Sequence, residues 1–216
     1  MKKRFGVPYK GSKNRIAEQI IEALPEADTF VDLFAGGCAV THAAIESGKY
    51  KNFIVNDLDG RGIRLFEKAV NGEYNTLPDK WVSREDFIKN KELPISEQDP
   101  YIAICWSFGN NMKDYLYSKD IEDWKHAYHE AVFHNDLTLW NEMGIFPPEC
   151  DETDIQKRRL FFGKVIRDKG GSCQDSIIQH AERDLSSMGG KSASRLESAE
   201  RELVHLQADC VFNLLL

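Results

Sequence analysis

Phe30-Val31-Asp32-Leu33-Phe34 is a short, mostly apolar run that opens directly into Ala35-Gly36-Gly37-Cys38-Ala39-Val40. A run of this length reads as a buried strand, and the glycine pair that follows reads as a turn into a helix. Phe53-Ile54-Val55 repeats the strand pattern and is closed by Asn56-Asp57-Leu58-Asp59-Gly60, beyond which Ile63, Phe66 and Val70 recur at helical spacing. Strand, helix, strand, helix implies an α/β fold on a parallel sheet. Gly37 and Asp57 are 20 positions apart. At that distance a glycine-rich turn lets a ligand approach the backbone while the acid ending the next strand accepts hydrogen bonds from ribose hydroxyls. The arrangement serves any adenosine-containing cofactor. Ala35 and Ala39 stand where the dinucleotide fingerprint would place glycines, so a pyrophosphate fits poorly and a cofactor without phosphates fits better. A tight strand-to-helix connection beside an acid with no ligand role is the alternative that these residues leave open.

Around this centre the chain reads coarsely. Ile16, Ile20, Ile21 and Leu24 predict a helix from Ser12, a plausible N-cap, to Leu24, ended by Pro25. Residues 71–100 are charged and interrupted by Pro78, Pro94 and Pro100, which predicts loops with a short helix around Ser83 to Lys89. Tyr101 to Cys105 suits a strand or a buried helix start equally. Residues 120–142 read as helix, Pro147 to Asp154 as a break, and Ile155 to Ile166 as helix again. After the breaks at Gly170-Gly171 and Gly189-Gly190, Leu196, Ala199, Leu203 and Leu206 predict an amphipathic helix over Ser192 to Gln207. Val211-Phe212 looks like the opening of a strand.

Composition limits the function classes. With 216 residues, 42% of them hydrophobic, the chain can bury one sizeable core with room for a small appended subdomain. No apolar stretch is long enough for a membrane span and Met1-Lys2-Lys3-Arg4 leads into polar sequence, so a cytoplasmic protein without a membrane partner is expected. Cys38, Cys105, Cys150, Cys173 and Cys210 form no C-x-x-C pair, which suggests neither a disulfide framework nor a zinc site. His126 and His129 could share a helix face, but no carboxylate-histidine motif surrounds them, and no metal is expected. A net charge of −7 argues against a surface that grips DNA everywhere, because phosphate binding rests on Lys and Arg. Two local clusters run the other way: Lys2, Lys3, Arg4, Lys10, Lys13 and Arg15, then Lys157, Arg158, Arg159, Lys164, Arg167 and Lys169. Ordinary solvated faces would give the same clusters.

The stretch F-V-D-L-F-A-G-G-C-A-V from Phe30 to Val40 resembles the cofactor motif of the Dam-like, D12-class adenine-N6 DNA methyltransferases. Pro8-Tyr9-Lys10-Gly11-Ser12-Lys13 is similar to that family's aromatic-x-Gly-Gly-Lys element, with Ser12 in place of the second glycine. Cys105-Trp106-Ser107-Phe108-Gly109-Asn110-Asn111, followed by Tyr115-Leu116-Tyr117, resembles a segment common in phage and prophage members, as does the last Arg/Leu/Glu-rich helix. The resemblance implies a Rossmann-like fold, incomplete at its C-terminus, that binds S-adenosylmethionine and acts on double-stranded DNA through a mainly helical inserted recognition region. It divides the chain into residues 1–82 for the cofactor part, 83–191 for target recognition and 192–216 for the return to the α/β part. It also assigns roles. Tyr9 and Lys13 help hold the cofactor, Lys13 by pairing with its carboxylate; Asp57 binds the ribose hydroxyls; Gly36 and Gly37 leave space beside the methionine moiety; Asp32 and Phe34 shape the pocket floor. Lys13 as a solvated lysine, Tyr9 as core and Asp32 as a turn cap are the alternatives.

The same family requires an Asp/Asn-Pro-Pro-Tyr/Phe motif, whose acceptors hold the target amine while the aromatic ring stacks on a flipped base. The sequence contains Asp99-Pro100-Tyr101, one proline short and ahead of the Trp106 segment, and Phe146-Pro147-Pro148-Glu149, which lacks the flanking groups. Asp99 and Tyr101 are therefore the only catalytic candidates, and the expectation is a truncated or catalytically incomplete enzyme, or else an inactive remnant that binds cofactor or DNA. In the recognition region Asn110, Asn111 and Lys113 suit base reading, and Arg158, Arg159 and Lys164 suit phosphate neutralisation. Exposed sheet edges predict self-association.

Overall fold

The computed structural model describes residues 4–74 and 79–169, the side chains of residues 167–169 excepted. The helix expected over 192–207, the strand opening at Val211-Phe212, the two glycine breaks, Lys2 and Lys3 lie outside the described residues. The described residues form two units, one of residues 4–74 with 82–116 and one of residues 79–81 with 117–169.

The first unit mixes helix and strand around a small parallel sheet. β1 (Thr29–Asp32) pairs with β2 (Asn52–Val55), Phe30 opposite Phe53 and Asp32 opposite Val55. Helix α2 (Ala39–Ser47) makes the crossover between them, and α1 (Ala17–Ala23) packs on α2. One face of the sheet is thereby covered. Phe30 is buried among Phe5, Ala17, Ile21, Ala39, Ala43, Ala44 and Tyr50, and its ring lies 5.0 Å from that of Tyr50. Burial of one such ring contributes about 1.5–3 kcal/mol. The alanines of α2 hold the helix close to the strands because they carry little bulk to keep it away. Val31 and Ile54, paired in register on the opposite face, are 49% and 56% exposed.

The first helix starts later than its apolar spacing predicts. Ser12 is spent on a turn, donating its N–H to Tyr9 O (3.1 Å) and accepting from Asn14 N–H (3.3 Å), and α1 begins only after Ile16. It ends at Leu24, whose extended backbone is the conformation required before Pro25.

After β2, α3 (Arg61–Val70) packs against α5 (Pro100–Cys105), which also contacts α4 (Arg84–Glu92). Ser83 caps α4 by accepting from Asp86 N–H (3.1 Å). Arg61 Nη1 donates to Gln98 Oε1 (2.7 Å), Arg64 Nη2 to the carbonyls of Ile95 and Gln98 (2.8 and 3.0 Å), and Gln98 Nε2 to those of Lys91 and Leu93 (3.1 and 2.8 Å). The bonds from Arg61 and Arg64 tie Ile95 and Gln98 to α3, and residues 82–116 belong to the strand-bearing unit, across the boundary expected at residue 83. Tyr101 to Cys105, ambiguous in sequence, is helical.

The second unit is helical: α6 (Lys119–His134), α7 (Thr138–Glu142) and α8 (Ile155–Lys169). Residues 120–142 form two helices because Asn135 takes the left-handed conformation (φ 55°), donating its side-chain amide to Cys150 O (3.1 Å), and Asp136 then receives Thr138 N–H (2.9 Å) and the Thr138 hydroxyl (2.6 Å). Ala127, Ala131, Val132, Trp140, Cys150, Phe162 and Val165 form the core. At its side Trp81 stacks on Tyr117 (5.5 Å, planes 4° apart) and on His126 (4.6 Å). Burial pushes the His129 imidazole below its ordinary range despite the adjacent Glu130 carboxylate. No helix among the described residues is long and apolar enough to cross a membrane.

Candidate functional site

β1 and β2 end side by side, and the two loops that leave them are knitted together. Asn56 N–H donates to Asp32 O (2.8 Å), Ala35 N–H to Asn56 O (3.0 Å), and the Asn56 amide to Leu33 O (3.1 Å). The Asp57 carboxylate faces the glycine turn: Gly36 N–H donates to Oδ2 (2.8 Å) and Asp59 N–H to Oδ1 (3.0 Å). Each oxygen thus accepts one backbone donor and retains a further lone pair. Gly36 (φ 52°) and Cys38 (φ 59°) are both left-handed, which turns the chain sharply from β1 into α2. Cys38 is fully buried, and its thiol is pushed up to about 12, first by burial and then by the charges of Asp32 and Asp57. It is an inert, packed thiol.

The segment Phe5 to Tyr9 lies over this turn. Val7 N–H donates to Gly37 O (2.8 Å), and Gly6 N–H donates to His42 Nδ1 (3.0 Å) on α2. A Cβ on Gly37 would stand 2.6 Å from Tyr9 Cβ and 2.8 Å from Val7 O; one on Gly36 would meet the Tyr9 ring at 3.1 Å. The room left by both glycines is occupied by Tyr9 and Val7 of the same chain. Burial raises the Tyr9 hydroxyl above its usual pKa, and the nearby Asp57 and Asp59 carboxylates add to the rise. The structure therefore brings Tyr9, Gly36, Gly37 and Asp57 together.

The remaining residues of the cofactor set are placed around them. Asp32, at the end of β1, accepts from the Thr41 hydroxyl of α2 (2.7 Å). Lys13 is exposed and donates to Gly11 O (3.1 Å). Phe34 stands 89% exposed, and Leu58 of the opposing loop is fully exposed. Phe34 is thus a rim residue: β1 stops at Asp32, and the next two side chains project from the turn beyond the edge of the sheet.

Asp59 and Arg61 belong to the site by position, and sequence reasoning missed them. Arg61 Nε donates to Asp59 Oδ1 (2.8 Å) and Nη2 to Oδ2 (2.5 Å), a two-pronged pair with Arg61 only 9% exposed. The guanidinium holds the Asp59 carboxyl below its ordinary range. The pair anchors the loop carrying Asp57 and extends through Gln98 to the start of α5. The available signal was the acid-x-basic spacing directly after Asp57, which by itself resembles any solvated turn.

Asp99 and Tyr101 are used as a helix start. Asp99 Oδ1 accepts from Tyr101 N–H (2.8 Å) and Ile102 N–H (3.2 Å), Pro100 occupies the first turn, and the buried Tyr101 ring lies 5.6 Å from Tyr74. Among the DNA candidates, Asn110 donates to Ile104 O (3.1 Å), while Asn111 accepts from Lys113 N–H (2.8 Å) and Asp114 N–H (3.0 Å) and donates to Asp114 Oδ2 (2.8 Å). Both amides shape the turn between Ser107 and Tyr115, which pair as an antiparallel bridge; Lys113 is exposed on it. Arg158, Arg159 and Lys164 lie on α8 in the other unit. Arg158 is half-buried and donates to Phe133 O (3.0 Å), and Lys164 is exposed.

Comparison with known proteins bears on these features together. No curated protein and no solved structure matches the chain. The family model of the D12 class N6 adenine-specific DNA methyltransferases matches residues 9–142, from Tyr9 through the glycine turn and the Asp57 loop to the end of α7. That match covers more than half of the 216 residues, and the chain belongs to the D12 class N6 adenine-specific DNA methyltransferase family.

Proposed function

We propose that the ends of β1 and β2 form the S-adenosylmethionine site of a Rossmann-like methyltransferase fold, serving N6 methylation of adenine in duplex DNA. The observation that carries this reading is the Asp57 carboxylate aimed across the strand ends at Gly36 N–H (2.8 Å). Ligands of open α/β sheets bind beyond the carboxyl ends of the strands, where an acid can take ribose hydroxyls. The donor set fits a nucleoside without phosphates. Asp57 keeps free lone pairs, and the exposed apolar side chains of Phe34 and Leu58 provide surface beside it for a purine.

When bound, the cofactor supplies a methyl group on a sulfonium centre, so the work of the protein is placement. Asp57 orients the ribose, and Tyr9 holds the glycine turn in shape. Lys13, exposed on a short tether, reaches for the cofactor carboxylate. Asp32, fixed by Thr41, sets the floor beneath the turn. Asn110, Asn111 and Lys113 in one unit, and Arg158, Arg159 and Lys164 in the other, are the residues through which the chain contacts bases and phosphates. The 216 residues contain no Asp/Asn-Pro-Pro-Tyr/Phe tetrapeptide, so the acceptors for the target amine are assigned to none of them. A second reading is binding of cofactor or DNA without turnover by these residues alone.

Two measurements separate the readings. Calorimetric titration with S-adenosylmethionine and with its demethylated product gives saturable uptake wherever the cofactor site is present, with or without turnover; absence of uptake by folded protein overturns the site. Transfer of labelled methyl groups to mixed-sequence duplex DNA then decides turnover, and adenine-N6 methylation by this chain would eliminate the second reading.

A further inference from the structure

One face of α6 carries four titratable side chains to which the methyltransferase reading gives no task. His126, Glu130 and His134 follow one another at intervals of four, so they stack a turn apart, and His129 joins them from the adjacent row. Glu130 is the hub. Its Oε1 lies 3.3 Å from His129 Nδ1 and 3.5 Å from His126 Nε2, and its Oε2 lies 3.9 Å from His134 Nε2. One donor atom each from His129, Glu130 and His134 falls within 4.8 Å of the others. Bonds of about 2.0–2.2 Å in a tetrahedral site set donor atoms roughly 3.3 Å apart, so side-chain rotation alone brings the three to coordination distance.

The surroundings favour a metal over a loose surface cluster. His129 lies against Phe133 (ring centroids 4.5 Å) and meets the edge of Trp81 (5.5 Å), while His126 stacks on Trp81 (4.6 Å). Packing of this kind orients the imidazoles before any ion arrives, as the outer shell does in metal sites. The side chains of His129, Glu130 and His134 are 11%, 21% and 39% exposed, which leaves one open side for entry and for a solvent ligand. The carbonyl oxygen of Asp79 lies 3.2 Å from His134 Nε2. Two imidazoles and one carboxylate suit Zn²⁺ and its neighbours, and suit Mg²⁺ or Ca²⁺ poorly. The spacing H-E-A-V-F-H is one residue longer than H-E-x-x-H, which places Glu130 among the ligands instead of beside them. His126 and His129 alone carry no expectation of a metal; Glu130 and His134 complete the set.

We propose that His129, Glu130 and His134 bind one Zn²⁺-class divalent ion on α6, with His126 the next donor in reach. The full chain, stripped with chelator, takes up Zn²⁺ at one equivalent in calorimetric titration, and its melting temperature rises with Zn²⁺ by mass action. Co²⁺ bound in the same place shows a visible spectrum without thiolate charge-transfer bands, because the donors are nitrogen and oxygen. Replacing His129→Gln and His134→Gln together weakens Zn²⁺ binding by about a hundredfold or more, beyond the loss expected from an outer-shell partner. His134→Gln alone, at the most exposed of the three ligands, provides the same reading if the double variant does not fold. Failure of the native chain to take up one equivalent, unchanged affinity in either variant, or a thiolate-type Co²⁺ spectrum overturns the proposal. None of these outcomes depends on the strand-end site.

Discussion

Asp57 has two duties, and they can be separated by substitution. Its carboxylate receives the N–H groups of Gly36 and Asp59, and in the proposed function it also receives ribose hydroxyls. Asp57→Asn turns an amide NH₂ toward one of those donors. Loss of a charge-assisted bond to a partly buried donor costs about 1–3 kcal/mol, which urea denaturation should show. Affinity for S-adenosylmethionine should fall about tenfold to a hundredfold in titration calorimetry; a stability loss with unchanged affinity would leave Asp57 a structural residue only. Gly37→Ala makes a different point, since its Cβ would enter the space of Tyr9 Cβ and Val7 O. Overpacking of this kind costs about 1–3 kcal/mol, seen as a lower denaturation midpoint. The pairing of Asp57 with the glycine turn was legible because the spacing of the two strands determines it. The pair between Asp59 and Arg61 was not, because the burial of a charged loop depends on what packs over it, here Gln98 from 37 positions further along.

The start of α5 shows an element rule prevailing over a motif resemblance. Asp-Pro-Tyr looks like part of a catalytic tetrapeptide, but an acid followed by proline is also a helix N-cap with proline in the first turn, and Asp99 performs that role. Asp99→Ala should cost about 0.5–2 kcal/mol in stability, Asp99→Ser should restore most of it, and S-adenosylmethionine affinity per folded molecule should remain the same in both. A loss of binding or transfer in Asp99→Ser at full stability would return Asp99 to the site. The order of strands and helices through residue 70 was readable because each apolar run keeps one period. The break at Asn135 was hidden for the converse reason: apolar residues continue at helical spacing on both sides, and only a single left-handed residue and the turn Asp136 makes with Thr138 divide them. The late start of α1 follows from Ser12 serving the turn before it.

For the whole molecule, acid should act on the strand-bearing unit. The Asp59 carboxyl is held below its ordinary range by Arg61, so the ionised form is the one the fold favours. Its stabilising contribution is complete above the unfolded value, about 3.9, and is lost as pH falls through the lower folded value. Asp59→Asn should therefore be less stable than the native chain near neutral pH, and the difference measured by denaturation should shrink below about pH 4. Self-association through sheet edges is tested by light scattering: the expected species exceeds the monomer mass, and a clean monomer removes the idea. The family membership was visible in sequence because its motifs are contiguous. The attachment of residues 82–116 to the strand-bearing unit was not, since it depends on bonds between distant side chains and carbonyls.

Two segments of the chain pass close over the turn after β1 at glycines. A side chain on Gly6 would run into Gly37 O, and one on Gly62 would run into Gly36 O. The bend is held by the segment Phe5 to Tyr9 and by the first turn of α3, and the Tyr9 ring lies beside both Gly36 and Gly62. Proteolytic trimming through Tyr9 would remove no helix and no strand among the described residues, yet would take away the clasp that Phe5 to Tyr9 form on the bend and set it loose.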